Sequence, residues 1–157
     1  MHGTPTRRQA ILILGGAAAL SLEAQAGDSS TTIHQEVDYK AAPARIYEVL
    51  LDAKQFGAFT KAPAEIQPQA GGTFKLFGGP IEGRNIELVA NQRIVQAWRE
   101  SSWPAGVYTL VKFELVARGS GTHLIFDQTG IPDGDRGHLS EGWPLRYWEP
   151  LRKYLGA

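Results

Sequence analysis

The last stretch of the chain, Ser140 to Leu155, narrows the choice of fold more than any other. It reads SEGWPLRYWEPLRKYL and holds two tryptophans, two tyrosines and three leucines. Trp143, Tyr147, Leu151 and Tyr154/Leu155 recur at four, four and three to four residues, the spacing of one helix face. Arg146, Glu149, Arg152 and Lys153 fill much of the opposite side. Each large aromatic ring buries about 150–250 Å², so this helix needs a large curved partner. Pro144 suits a helix that starts near it, because the first N–H groups have no intrahelical acceptor. Pro150 falls inside, where the lost hydrogen bond and ring clash cost about 3 kcal/mol and kink the rod. A bent helix over 140–155 is predicted.

The stretch from Ala64 supplies the partner. Gly71-Gly72, Gly78-Gly79-Pro80 and Gly119-Ser120-Gly121 punctuate runs that read as strands over 65–68, 73–77, 81–89, 93–102, 107–117 and 122–131. Val107, Thr109, Val111, Phe113 and Leu115 share one face, with Lys112 and Glu114 on the other. Leu124 and Phe126 alternate in the same way against His123 and Asp127. Such alternation belongs to an antiparallel sheet packed on one side. Upstream, Ile33, Val37 and Tyr39 alternate with His34, Glu36 and Asp38 as a first strand. Pro43 opens a helix through Leu51, and Asp52 caps a second short helix to Phe59. A strand, two helices, a run of hairpin strands and a long helix make an α+β domain, expected over 33–157.

Residues 1–26 read as an export signal instead of fold. Arg7-Arg8 precedes an uncharged apolar run, Ile11 to Leu22, and then Ala24-Gln25-Ala26, an A-x-A cleavage site. Thr6 to Ile11 is similar to a twin-arginine signal with Ala10 where Phe is usual, so twin-arginine and general secretory export both stay open. The run falls short of the roughly twenty residues that span a bilayer, and no membrane span is expected once the signal is removed. A polar tether, 27–32, follows. Periplasmic or secreted localisation is the expectation. With 16 basic and 16 acidic residues the chain carries no net charge that would favour nucleic acid. The absence of cysteine from the sequence excludes disulfides and thiolate chemistry.

Several motifs together resemble the helix-grip superfamily known as START or SRPBCC. They are Ala42-Pro43-Ala44-Arg45-Ile46-Tyr47, Gly71-Gly72-Thr73-Phe74, Val95-Gln96-Ala97-Trp98-Arg99 and Gly142-Trp143. Phe59 to Ala64, Trp103-Pro104-Ala105-Gly106, Thr129-Gly130-Ile131-Pro132 and the run from Gly142 to Trp148 resemble, within it, the C-terminal domain of the activator of Hsp90 ATPase. The resemblance covers about Ile33 to Tyr154. It implies a curved antiparallel sheet wrapped around a long C-terminal helix, with two short helices after the first strand. It also implies an internal groove that many members use for apolar molecules. The eukaryotic activator has a separate N-terminal domain for which this chain is too short. An export signal would also part it from cytoplasmic Hsp90, so the co-chaperone function is not carried over directly.

Candidate site residues are chiefly aromatic: Phe56, Phe59, Phe74, Trp98, Phe113, Phe126, Trp143 and Tyr147, either as plain core or as the lining of a ligand cavity. Gln128 follows Leu124 and Phe126 at period two and should point the same way. A buried amide left unpaired costs about 1–3 kcal/mol, so backbone, water or ligand should meet it. Arg84 and Glu87 lie on opposite faces by parity, and one of them should face inward. Trp103, beside the rigid turn Pro104-Ala105-Gly106, reads either as an exposed interaction anchor or as a hairpin tip folded over the groove. The loop from Ile131 to Gly137 is a candidate lid. His34, His123 and His138 stand singly among polar neighbours, with no metal-ligand spacing, and neither metal nor cofactor is expected. Ser101, Ser102 and Ser140 lack the context of a serine nucleophile. An apolar or amphipathic small molecule is the expected ligand. A protein partner of the Hsp90-activator kind is the alternative, and a cyclase- or hydrolase-like enzyme ranks third.

Overall fold

The computed structural model describes residues 30–156. The export signal expected over 1–26 lies outside the described residues. Seven strands form one antiparallel sheet: β1 (Thr32–Tyr39), β2 (Glu65–Ile66), β3 (Thr73–Leu76), β4 (Ile81–Val89), β5 (Arg93–Glu100), β6 (Thr109–Arg118) and β7 (Gly121–Thr129). Their order is β1-β7-β6-β5-β4-β3-β2. Consecutive strands are neighbours except at the start, where β1 lies at one edge and β2 at the other. Helices α1 (Pro43–Leu51) and α2 (Ala53–Thr60) carry the chain between these two edges. Pro43 occupies the first turn of α1, where its missing N–H is no loss. The Asp52 side chain accepts from the Gln55 N–H at 2.8 Å, capping α2 as its position predicts.

The predicted alternation sets the faces. Ile33 and Tyr39 of β1, Val111, Phe113 and Leu115 of β6, and Leu124, Phe126 and Gln128 of β7 are all buried. His34, Glu36 and Asp38 face solvent. Parity fails in β4, where a bulge lies between Asn85 and Glu87 and leaves Ile86 without a partner. The extra residue puts both Arg84, opposite Ala97, and Glu87, opposite Val95, on the outer face. Neither Arg84 nor Glu87 faces inward; Asn85 does, fully buried. Gly83 sits where β4 presses closest to its neighbours, since a Cβ there would lie 2.0 Å from the Ala97 carbonyl oxygen.

The C-terminal rod is longer than predicted and irregular in a different place. It begins at Arg136, with α3 (Arg136–Trp143), continues through a π-helical turn (Pro144–Trp148) and ends in α4 (Glu149–Leu155). Pro144 is therefore in mid-rod, not at a helix start. The disruption assigned to Pro150 falls one turn earlier. The Glu149 N–H reaches back five residues to the Pro144 carbonyl, and this wider turn gives the Pro150 ring room that a regular turn denies. It also brings Tyr147 and Trp148 inward side by side, both buried. The loop read as a lid shortens accordingly, and Ile131 within it belongs to the core.

Candidate functional site

The grip between sheet and rod is filled mainly by aromatic rings. Phe126 lies 4.2 Å from Trp143 and 5.3 Å from Phe113, centroid to centroid. Trp143 lies 4.4 Å from Tyr147, and Phe56 packs on Phe59 at 4.8 Å and on Tyr147 at 5.6 Å. Phe74 is buried beside Gly83. The gap left among Leu50, Phe56, Phe74, Phe113 and Tyr147 measures about 10 Å³, room for a water at most. Burial pushes the Tyr147 phenol well above its ordinary pKa, an effect the nearby Trp98 N–H partly opposes.

Gln128 does point into the grip, but its partners are two side chains. It accepts the Trp143 indole N–H at 2.8 Å and donates to the Thr109 hydroxyl at 3.0 Å. Trp148, absent from the sequence candidates, donates to Gln35 at 2.7 Å, and Gln35 donates to the Ser140 carbonyl at 2.8 Å. These bonds fix the rod on β1 and β7.

Open space begins at the rod's other flank. A groove of about 510 Å³ runs between α3 with the π turn and the ends of β4 and β5. Trp98, Trp143, Tyr147 and Phe77 give its apolar lining, and Glu100, Ser101, Ser102, Glu141 and Arg146 its polar one. Of the aromatic candidates, Trp98, Trp143 and Tyr147 reach this groove. His138 Nε2 meets Glu100 Oε1 at 2.9 Å, a link from α3 to β5 across it. Gly142 is on the α3 wall, and a Cβ added there would touch nothing within 4 Å. A larger hollow of about 930 Å³ lies across the outer face of β3, β4 and β5. Its borders are largely charged, with Glu65, Lys75, Glu82 and Arg84 among them. The smaller groove is the better ligand site, because it combines aromatic surface with a few polar groups.

Trp103 is folded inward, not exposed as an anchor. It is 8% exposed and meets Trp98 edge to face at 6.0 Å. Arg99, which the sequence reading passed over, holds this loop. Its guanidinium donates to the Trp103, Pro104 and Val107 carbonyls at 2.5, 3.1 and 3.1 Å and pairs with Glu82 at 2.5 Å. Asn85 and Gln96 form a second inner polar pair, with Gln96 donating to Asn85 at 3.1 Å and Asn85 to the Gln67 carbonyl at 3.1 Å. The histidines are not all single. His34 bridges Asp127 and Glu36 at 2.6 and 3.0 Å, and His123 bridges Glu36 and Asp38 at 2.7 Å each. Two strands paired in register bring the two rings onto one carboxylate.

A family model for "Activator of Hsp90 ATPase homolog 1-like protein" matches residues 40–156. The chain belongs to this family. The activator of 90 kDa heat shock protein ATPase homolog 1 of Homo sapiens is 29% identical over 118 residues, which are 75% of this chain and 35% of that protein. An uncharacterized protein of Schizosaccharomyces pombe is 26% identical over 98% of this chain and 46% of its own length. The chain thus spans between a third and a half of these curated relatives. Among solved structures, an HSP90 activator of Plasmodium falciparum superposes with a TM-score of 0.78 at 23% identity, covering 81% of this chain and 97% of that one. The Aha1 dimer of Colwellia psychrerythraea gives 0.67 at 18% identity, covering 79% and 95%. These likenesses establish the fold: a seven-stranded curved antiparallel sheet around a long C-terminal helix.

Proposed function

We propose that the domain binds an apolar or amphipathic small molecule in the groove between its sheet and its C-terminal helix. The observation that carries this reading is the contrast within one grip. Most of the interior is closed by its own rings, yet about 510 Å³ stays open along Trp98, Trp143 and Tyr147, a volume ordinary for ligand sites. Gly142 keeps that space clear. Titrating the full chain with amphipathic aromatic compounds while following tryptophan fluorescence tests it. Saturable changes in the wild type that Gly142→Phe abolishes support the reading. Equal responses in both proteins overturn it.

A second reading, a protein-interaction module of the Hsp90-activator kind, is favoured by the family itself. Tyr108 and Leu110, each 49% exposed on the outer sheet face, are the surface it would use. Crosslinking in the source cell that captures a chaperone ATPase, lost on Leu110→Asp, supports it; recovery outside the cytoplasm with no chaperone captured overturns it. Export through residues 1–26 is part of the first reading, and the intact mass of recovered protein tests it.

A further inference from the structure

The groove has a neighbour on the same rod. A hollow of about 550 Å³ lies between the C-terminal end of α2 and the later turns of the rod. Phe59, Pro150 and Tyr154 give it apolar surface, and Lys61, Glu149 and Lys153 give it charge. The groove takes its rod residues from the stretch His138 to Tyr147, and the hollow from Leu145 to Tyr154, so the two recesses lie end to end. Leu145 lines both. At 73% it is the most exposed large hydrophobic residue among the described residues. An apolar side chain set on the sill between two recesses marks a surface that something apolar covers.

The charges of the hollow do not cancel. Glu149 faces Arg152 at 4.0 Å, whereas Lys61 and Lys153 form no ion pair among the described residues. Two cations beside apolar surface suit an anionic group. The acidic residues of the groove, Glu100 and Glu141, repel such a group, which sets its direction: apolar part in the groove, anionic end in the hollow. Trp143 and Lys153 are ten residues apart, about 15 Å along the rod at a rise of about 1.5 Å per residue. A compact ring system does not cover that span, but an extended alkyl chain does. We propose that groove and hollow form one elongated site for a single-chain anionic amphiphile, its chain on Trp143 and Leu145 and its head between Lys61 and Lys153. This rests on the groove reading and adds to it a head-group site and a ligand class.

The test loads the groove of the full chain with N-phenyl-1-naphthylamine, a neutral fluorescent reporter, and displaces it with dodecanoate, dodecan-1-ol or hexanoate below their micellar concentrations. Dodecanoate is expected to act at a concentration roughly three- to tenfold lower than dodecan-1-ol, the worth of two exposed ion pairs, and the margin should shrink as salt is raised. Hexanoate, too short to join groove and lysines, should displace nothing over the same range. Lys61→Gln with Lys153→Gln should remove the margin and leave reporter binding unchanged. On the wild type, dodecanoate should shift the NMR signals of the Leu145 methyls and of Lys153 together. Equal action of dodecanoate and dodecan-1-ol, or a margin that survives the double lysine change, overturns this inference and leaves the groove standing. So do Leu145 and Lys153 shifts that follow protein concentration, which assign the face to a second copy, or that appear only with anionic phosphatidylglycerol vesicles, which assign it to a membrane surface. A reporter that does not bind, or binds Gly142→Phe equally well, overturns groove and inference together.

Discussion

The indole N–H of Trp143 meets the side-chain oxygen of Gln128 at 2.8 Å. Gln128 then donates to Thr109 at 3.0 Å, and Thr109 to the Trp98 carbonyl at 2.8 Å. One buried relay thus ties the C-terminal rod to three adjacent strands, β7, β6 and β5. It holds Trp143 with one side on Phe126 and the other side open to the groove.

Replacing Gln128 with leucine keeps the volume and strands the Trp143 N–H. The expected cost is about 1–3 kcal/mol, read from urea unfolding. A smaller change would mean that the rod is held by packing alone.

Two glycines should respond in opposite ways. Gly142 lies in α3 with free space at its Cβ, so Gly142→Ala should stabilise by about 0.5–1 kcal/mol through lower unfolded-state entropy. At Gly83 a Cβ would meet backbone at 2.0 Å and the Phe74 ring at 2.5 Å. Gly83→Ala should therefore destabilise by about 1–3 kcal/mol or prevent folding. Thermal unfolding of the pair checks both signs.

Arg99→Lys keeps the charge but loses the fork that reaches three carbonyl oxygens and Glu82. Loss of charge-assisted bonds at this nearly buried site should cost about 1.5–3 kcal/mol. Amide exchange should quicken over residues 101–107 before it does elsewhere.

The chain Asp127–His34–Glu36–His123–Asp38 joins β1 to β7 on the outer face. Arg118 and Lys112 on β6 pair with Asp38 and Asp127, and Arg152 on α4 acts on Asp38. Bonds to Asp38 and Glu36 raise the His123 pKa, and bonds to Asp127 and Glu36 raise that of His34. The same contacts lower Glu36 and Asp38. A raised histidine stabilises below its ordinary range and loses that effect as pH rises through the folded value. A lowered carboxylate stabilises above its ordinary range and loses that effect as pH falls through the folded value. The clasp is strongest between the two ranges. His123→Gln should lower Tm more at about pH 5.5 than at about pH 9. An equal effect at both would count against it.

Much of this was legible in the sequence because it rests on period. Ile33, Val111, Phe113, Leu124, Phe126 and Gln128 lie on the face that alternation assigns them, and Trp143, Tyr147 and Leu151 on the helical stripe. Arg84 and Glu87 were misplaced because one unpaired residue, Ile86, resets parity, and no residue type marks a bulge. Trp148 was missed because it is off an α-helical stripe and comes inward only through the π turn. The Arg99 clamp and the His34–Glu36–His123 bridge depend on folded contacts that no local pattern encodes. The groove itself was implied by resemblance. Its position beside Gly142 needed the packed rod.

The most direct test is native mass spectrometry of the wild type and Gly142→Phe, each recovered from the same source cells and measured again after denaturation. A mass excess on the folded wild type that disappears on denaturation, and is absent from Gly142→Phe, is the predicted result. A bare wild-type mass that gains nothing from the cell's own lipid extract, or an adduct equally held by both proteins, would contradict ligand binding in the groove.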